Sequence, residues 1–148
     1  MNYEINKETL AIIPIEETKS KVVELNSEYV VDTTPYKIME NSCMYFGSSI
    51  KGRLDGSKSI LGSVYKPPIL VEESRNIVFF PTMSPQLANN CWISLNNIKD
   101  YKNDGFSTII NFDNNKQIKL DIPFLSIENQ ILRATRLQSI YRKRKNCE

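Results

Sequence analysis

Residues 107–122 read STIINFDNNKQIKLDI, and the fold class turns on that stretch. Ser107 to Phe112 and Gln117 to Ile122 are runs of strand-favouring residues, and the polar residues Asp113 to Lys116 between them suit a tight hairpin loop. The hairpin predicts antiparallel pairing, and further strand signals lie upstream of it. Asn76 to Phe80 is β-branched and aromatic and stops at Pro81. Cys91 to Leu95 is another run, with a continuation toward Tyr101. Nearer the N-terminus, Thr9 to Ile15, Lys21 to Leu25 and Glu28 to Asp32 read as strands, with Asn26-Ser27 as a turn between the last two.

Helical signals fall at two places. Thr34 suits an N-cap and Pro35 the first helical position, so a short helix is predicted from there to about Met44. From that point to Pro67-Pro68 the chain reads as a glycine-rich basic loop. Downstream of the hairpin, Ser126 is expected to cap a C-terminal helix. At about 100° per residue, Ile127, Ile131, Ala134, Leu137 and Tyr141 share one arc of it. Asn129, Arg133, Arg136, Lys143 and Arg144 occupy the opposite arc. The expectation is an α+β fold, with one β-rich domain over residues 1–148. It has antiparallel strands and hairpins, a short internal helix and a C-terminal amphipathic basic helix.

Composition narrows the function. The 148 residues are 41% apolar and 24% charged, enough to bury a core without staples. The longest apolar runs, Leu10 to Ile13 and Ile77 to Phe80, fall far short of the roughly 20 residues that cross a bilayer. The start of the chain is acidic rather than basic, so a cytoplasmic protein with no membrane partner is expected. Histidine is absent, which excludes His-based triads, Cys-His proteases and mixed Cys/His zinc sites. Cys43, Cys91 and Cys147 form no C-x-x-C pair and read as reduced thiols, the first two as small buried hydrophobes. No Walker A spacing occurs. The acidic pairs Asp113 with Asp121 and Glu72 with Glu73 lack an accompanying base, metal cluster or nucleophile motif. Neither an enzyme nor a cofactor or metal is expected.

The net charge of +2 hides an uneven distribution. Residues 1–130 carry 13 Lys and Arg against 16 Asp and Glu, whereas residues 131–148 carry six basic residues against Glu148 alone. Positive charge gathered at one end suits a polyanionic partner. A second basic stretch, Lys51, Arg53, Lys58 and Lys66, is opposed only by Asp55, with Gly47, Gly52, Gly56 and Gly62 among or beside it. Glycines let backbone approach a phosphate chain closely, and lysines neutralise it.

From Cys43-Met44-Tyr45-Phe46-Gly47-Ser48-Ser49 onward the sequence becomes distinctive. That block is followed by Gly52-Arg53, Lys66-Pro67-Pro68-Ile69, Phe79-Phe80-Pro81-Thr82, Cys91-Trp92-Ile93-Ser94, and Glu128-Asn129-Gln130 with Arg133. In this order and spacing the blocks closely resemble the ComK family of competence transcription factors, over roughly residues 35–145. The resemblance implies a bacterial DNA-binding activator of DNA-uptake genes. It would recognise paired AT-rich boxes in double-stranded promoter DNA, largely through the minor groove, as a homodimer or dimer of dimers. It also implies a nucleoid-associated location, with RNA polymerase as a further partner. In the family a C-terminal extension is associated with activation and with capture by a Clp-protease adaptor. This chain stops at Glu148, short of that extension, which counts against the adaptor as a partner. The alternative reading is a short paralogue, a protein-interaction module that modulates a full-length relative without activating transcription itself.

Charge and context select the candidate DNA ligands, since the family supplies no residue assignment. A narrow AT-rich minor groove is strongly negative, so Arg53, Arg133 and Arg136 are candidates for insertion. Lys51, Lys58, Lys66, Arg142, Lys143, Arg144 and Lys145 are candidates for phosphate contacts. Trp92, Phe46, Phe79 and Phe80 are expected in the core. Gly47 and Gly52 are expected at backbone positions that a side chain would strain.

Overall fold

A computed structural model describes residues 2–62 and 64–146. Cys147 lies outside the described residues. Two antiparallel sheets and three helices make up the fold. The strands of the larger sheet are β1 (Thr9–Glu16), β2 (Lys19–Glu24), β3 (Glu28–Val31), β4 (Ile69–Glu72), β5 (Ile77–Pro81) and β6 (Trp92–Ser94), in the spatial order β3-β2-β1-β6-β5-β4. The smaller sheet orders β7 (Ile98–Asp104), β8 (Ser107–Phe112) and β9 (Gln117–Leu120) consecutively. The hairpin read from residues 107–122 is the β8–β9 pair, in register from Thr108 opposite Leu120 to Asn111 opposite Gln117. The helices are α1 (Pro35–Tyr45), α2 (Ile50–Leu61) and α3 (Phe124–Asn146).

The larger sheet is covered on both faces, which explains its continuous apolar strands. Along β5, Val78 and Phe80 face one core, while Ile77 and Phe79 face the other. Trp92 and Ile93 on β6 divide in the same way. One core holds α3 and the smaller sheet, through Ile110, Phe112, Leu120, Ile127, Ala134 and Leu137. The other holds α1 and the N-terminal segment, through Tyr3, Ile5, Ile38, Met39 and Cys43. Alternating side chains of one strand thus belong to separate cores.

Several expected boundaries need correction. The stretch from Gly47 to Gly62 is not a loop throughout, because most of it is α2. Ser49 caps that helix by accepting a hydrogen bond from the Gly52 N–H at 3.0 Å. Gly62 ends it at φ +86°, with its N–H bonded to the Lys58 carbonyl. Each internal glycine costs about 1 kcal/mol relative to alanine. Packing offsets that cost: Ile50 and Leu54 reach one core, Ile60 and Leu61 the other, so α2 wraps the β4 edge of the sheet.

β4 follows directly on Pro67-Pro68 and was not expected. The run from Cys91 splits, with β6 and β7 in different sheets. Asn76 precedes β5 in a left-handed conformation, φ +54°. The last helix starts at Phe124, not after Ser126, and the Pro123 carbonyl accepts from the Ser126 and Ile127 N–H groups. Thr34 caps α1 as expected, accepting from the Lys37 N–H at 3.2 Å. Trp92, Phe79 and Phe80 are fully buried, Phe46 is half-buried, and Gly47 takes φ +86°, whereas Gly52 is an ordinary helical residue.

Candidate nucleic-acid interface

The two basic stretches meet because α2 packs on α3. Gly56 makes the close approach possible: a Cβ there would stand 3.2 Å from the Tyr141 hydroxyl. The apolar arc read from the sequence is the buried face of α3, with Ile127, Ile131, Ala134 and Leu137 inside. Gln130 is buried on the same face. Its amide nitrogen donates to the Pro81 carbonyl at 2.6 Å and the Lys66 carbonyl at 2.9 Å, fixing the helix against the loop that follows α2.

The cations of α2 and its following loop take different roles. Lys51 is exposed and pairs with Asp55 at 2.8 Å, one helical turn on, and that carboxylate raises its pKa. Lys58 is exposed on the outer face. Arg53 turns inward, its side chain only 12% exposed, and its guanidinium bonds Glu73 at 3.0 Å while its Nε has no partner. Lys66 is half-buried, with its ammonium 3.4 Å from the Thr82 carbonyl. Burial, then the neighbouring Arg133, push its pKa down. Lys66 and Arg133 therefore form a like-charged couple, and Arg133 is steadied by donating to the Gln130 Oε1 at 2.9 Å. A phosphate between two such cations would relieve their repulsion.

Arg136, Arg142, Lys143, Arg144 and Lys145 are exposed on α3. The last of them flank an open groove of about 780 Å³ between the end of α3 and the β4–β5 turn. Lys145 donates to the Ser74 carbonyl at 3.1 Å, and Asn76 and Gln138 exchange side-chain-to-backbone bonds across the groove floor. Glu72 shapes the turn: its buried carboxylate accepts from the Ser74 and Arg75 N–H groups and from the Ser74 hydroxyl. Burial pushes the pKa of Glu72 up, but these bonds and the Arg75 charge outweigh it and hold the carboxyl below its usual range.

The groove adds a cation that sequence reading passed over. Arg75 lines it together with Arg142, Arg144 and Lys145. In the chain Arg75 follows Glu72-Glu73-Ser74, so its local charge is acidic and no nearby motif marks it. Cations at a helix C-terminus are favoured by the macrodipole whatever their function. What distinguishes this set is convergence with Arg75. Among the described residues, Lys58, Lys66, Arg75, Arg133, Arg136, Arg142, Lys143, Arg144 and Lys145 make no ion pair with a carboxylate.

The chemistry available here is anion binding. Cys43 and Cys91 are buried, and burial raises both thiols, that of Cys43 to about 11, so neither is a ready nucleophile at neutral pH. No group of His, Cys, Asp and Glu among the described residues is placed to hold a metal ion, and no described helix is long and apolar enough to cross a membrane.

Comparison with known proteins bears on the polyanion. A family described as ComK protein matches residues 1–146. The competence transcription factor of Bacillus subtilis (strain 168) is 35% identical over 147 residues, covering 97% of this chain and 77% of the relative. No solved structure matches the chain.

Proposed function

Because the chain belongs to the ComK protein family, we propose that it is a transcription regulator of competence that binds promoter DNA through the basic end of α3 and the groove beside it. One observation carries the site: Arg142, Arg144 and Lys145 converge with Arg75 from a distant part of the chain. From Arg133 to Lys145 the helix rises about 18 Å, the length of roughly five base pairs along one strand. Arg133 and Arg136 insert into the narrow minor groove of AT-rich DNA. Lys58, Lys66, Arg75 and the cations from Arg142 to Lys145 hold phosphates. Lys51 and Arg53 begin in ion pairs and contribute only if those open.

Paired boxes call for at least two copies of the chain, so the DNA-bound species is a homodimer or a dimer of dimers at the promoters of DNA-uptake genes, where it recruits RNA polymerase. The protein works in the cytoplasm on the nucleoid, without enzymatic activity. Footprinting on DNA with paired AT boxes tests this reading. Protection of both boxes, lost when a minor-groove ligand is added and lost in the Arg133→Ala/Arg136→Ala double variant, is expected. Protection that survives both treatments would refute minor-groove insertion by these arginines.

A further inference from the structure

The groove contains one carboxylate among its cations, and that carboxylate holds Arg53. Glu73 lines the groove with Arg75, Arg142, Arg144 and Lys145, and its own side chain is 71% exposed. It bonds the end of the Arg53 guanidinium, whose shaft is buried under α2 and whose Nε is unpaired. An exposed glutamate reaches that guanidinium from solvent, so another anion can reach it by the same route. Exposed ion pairs contribute little, on the order of 0–1 kcal/mol, so the pair opens at small cost once a replacement anion is present. Leaving a buried guanidinium without any anion is far more costly.

We propose that Glu73 is an internal stand-in for a DNA phosphate. It occupies Arg53 while the protein is free, and a backbone phosphate displaces it on binding. The inference rests on the DNA-binding reading above. Its consequence is selectivity, because a carboxylate in the groove weakens every casual polyanion contact. DNA that fills the groove recovers Arg53 as an extra ligand.

Glu73→Ala separates this role from a merely structural one. A structural tie between α2 and the β4–β5 turn, once cut, lowers both stability and DNA affinity. A stand-in, once removed, lowers the melting temperature of the free protein yet tightens DNA binding. Anisotropy titrations of a paired AT-box duplex are expected to show about fivefold tighter binding or more at moderate salt. The dependence of log K on log salt is expected to steepen by about 0.9, one further phosphate contact. Adding Arg53→Ala to Glu73→Ala should return that slope to the wild-type value. Should Glu73→Ala fail to fold, the isosteric Glu73→Gln carries the same test, with a smaller gain of the same sign. Wild-type binding that either variant leaves unchanged or weakens overturns the stand-in while leaving the DNA-binding reading intact. Absence of wild-type binding at any salt overturns both.

Discussion

Glu72 and Glu73 are neighbours in the chain with opposite duties. Glu73 faces the groove, whereas Glu72 is buried and accepts from two backbone N–H groups and a hydroxyl, which fixes the turn that presents Arg75. Its folded pKa lies below the unfolded one, so its stabilisation is complete above about pH 4.3 and disappears as acid passes through the lowered value. Urea unfolding of Glu72→Gln should show a loss of about 1–2 kcal/mol at pH 7, with the gap to wild type narrowing toward pH 3. A gap independent of pH would mean that the charge on Glu72 does not contribute. At this scale the sequence showed which residues are charged but not what they touch. Arg53 and Glu73 are 20 positions apart, and only the fold joins them.

α2 is the element least legible in advance. Its glycines and scattered cations suit a loop as well as a helix, and its apolar residues divide between two cores instead of forming one stripe. The strands, the α1 cap and the buried face of α3 were legible because each rests on a local signal, whether β-branched runs, Thr34-Pro35 or a helical period. β4 was hidden behind Pro67-Pro68 and owes its existence to pairing with β5. Gly56 is the contact point of α2 with α3. Gly56→Leu should force the two helices apart and cost about 1–3 kcal/mol in denaturant unfolding. An unchanged stability would show that α2 and α3 are not held in this contact. DNA affinity should fall with it, because Lys58 and the end of α3 would no longer share a surface.

Across the whole molecule, the acidic bulk of the chain and its basic end make a polar body with one cationic side. The legible part of the site was the charge of residues 131–148, and the illegible part was its partner, Arg75, brought in by the β4–β5 turn. A helix segment matching about five base pairs, flanked by cations from two other elements, fits on the order of four to six neutralised phosphates. The salt dependence of binding to a paired AT-box duplex tests that surface most directly. The expected slope of log K against log salt is about −3.5 to −5.5, reduced by about 0.9 for each of Arg75, Arg142 and Arg144 changed to alanine. A flat response, or a slope that those substitutions leave unaltered, would contradict the account.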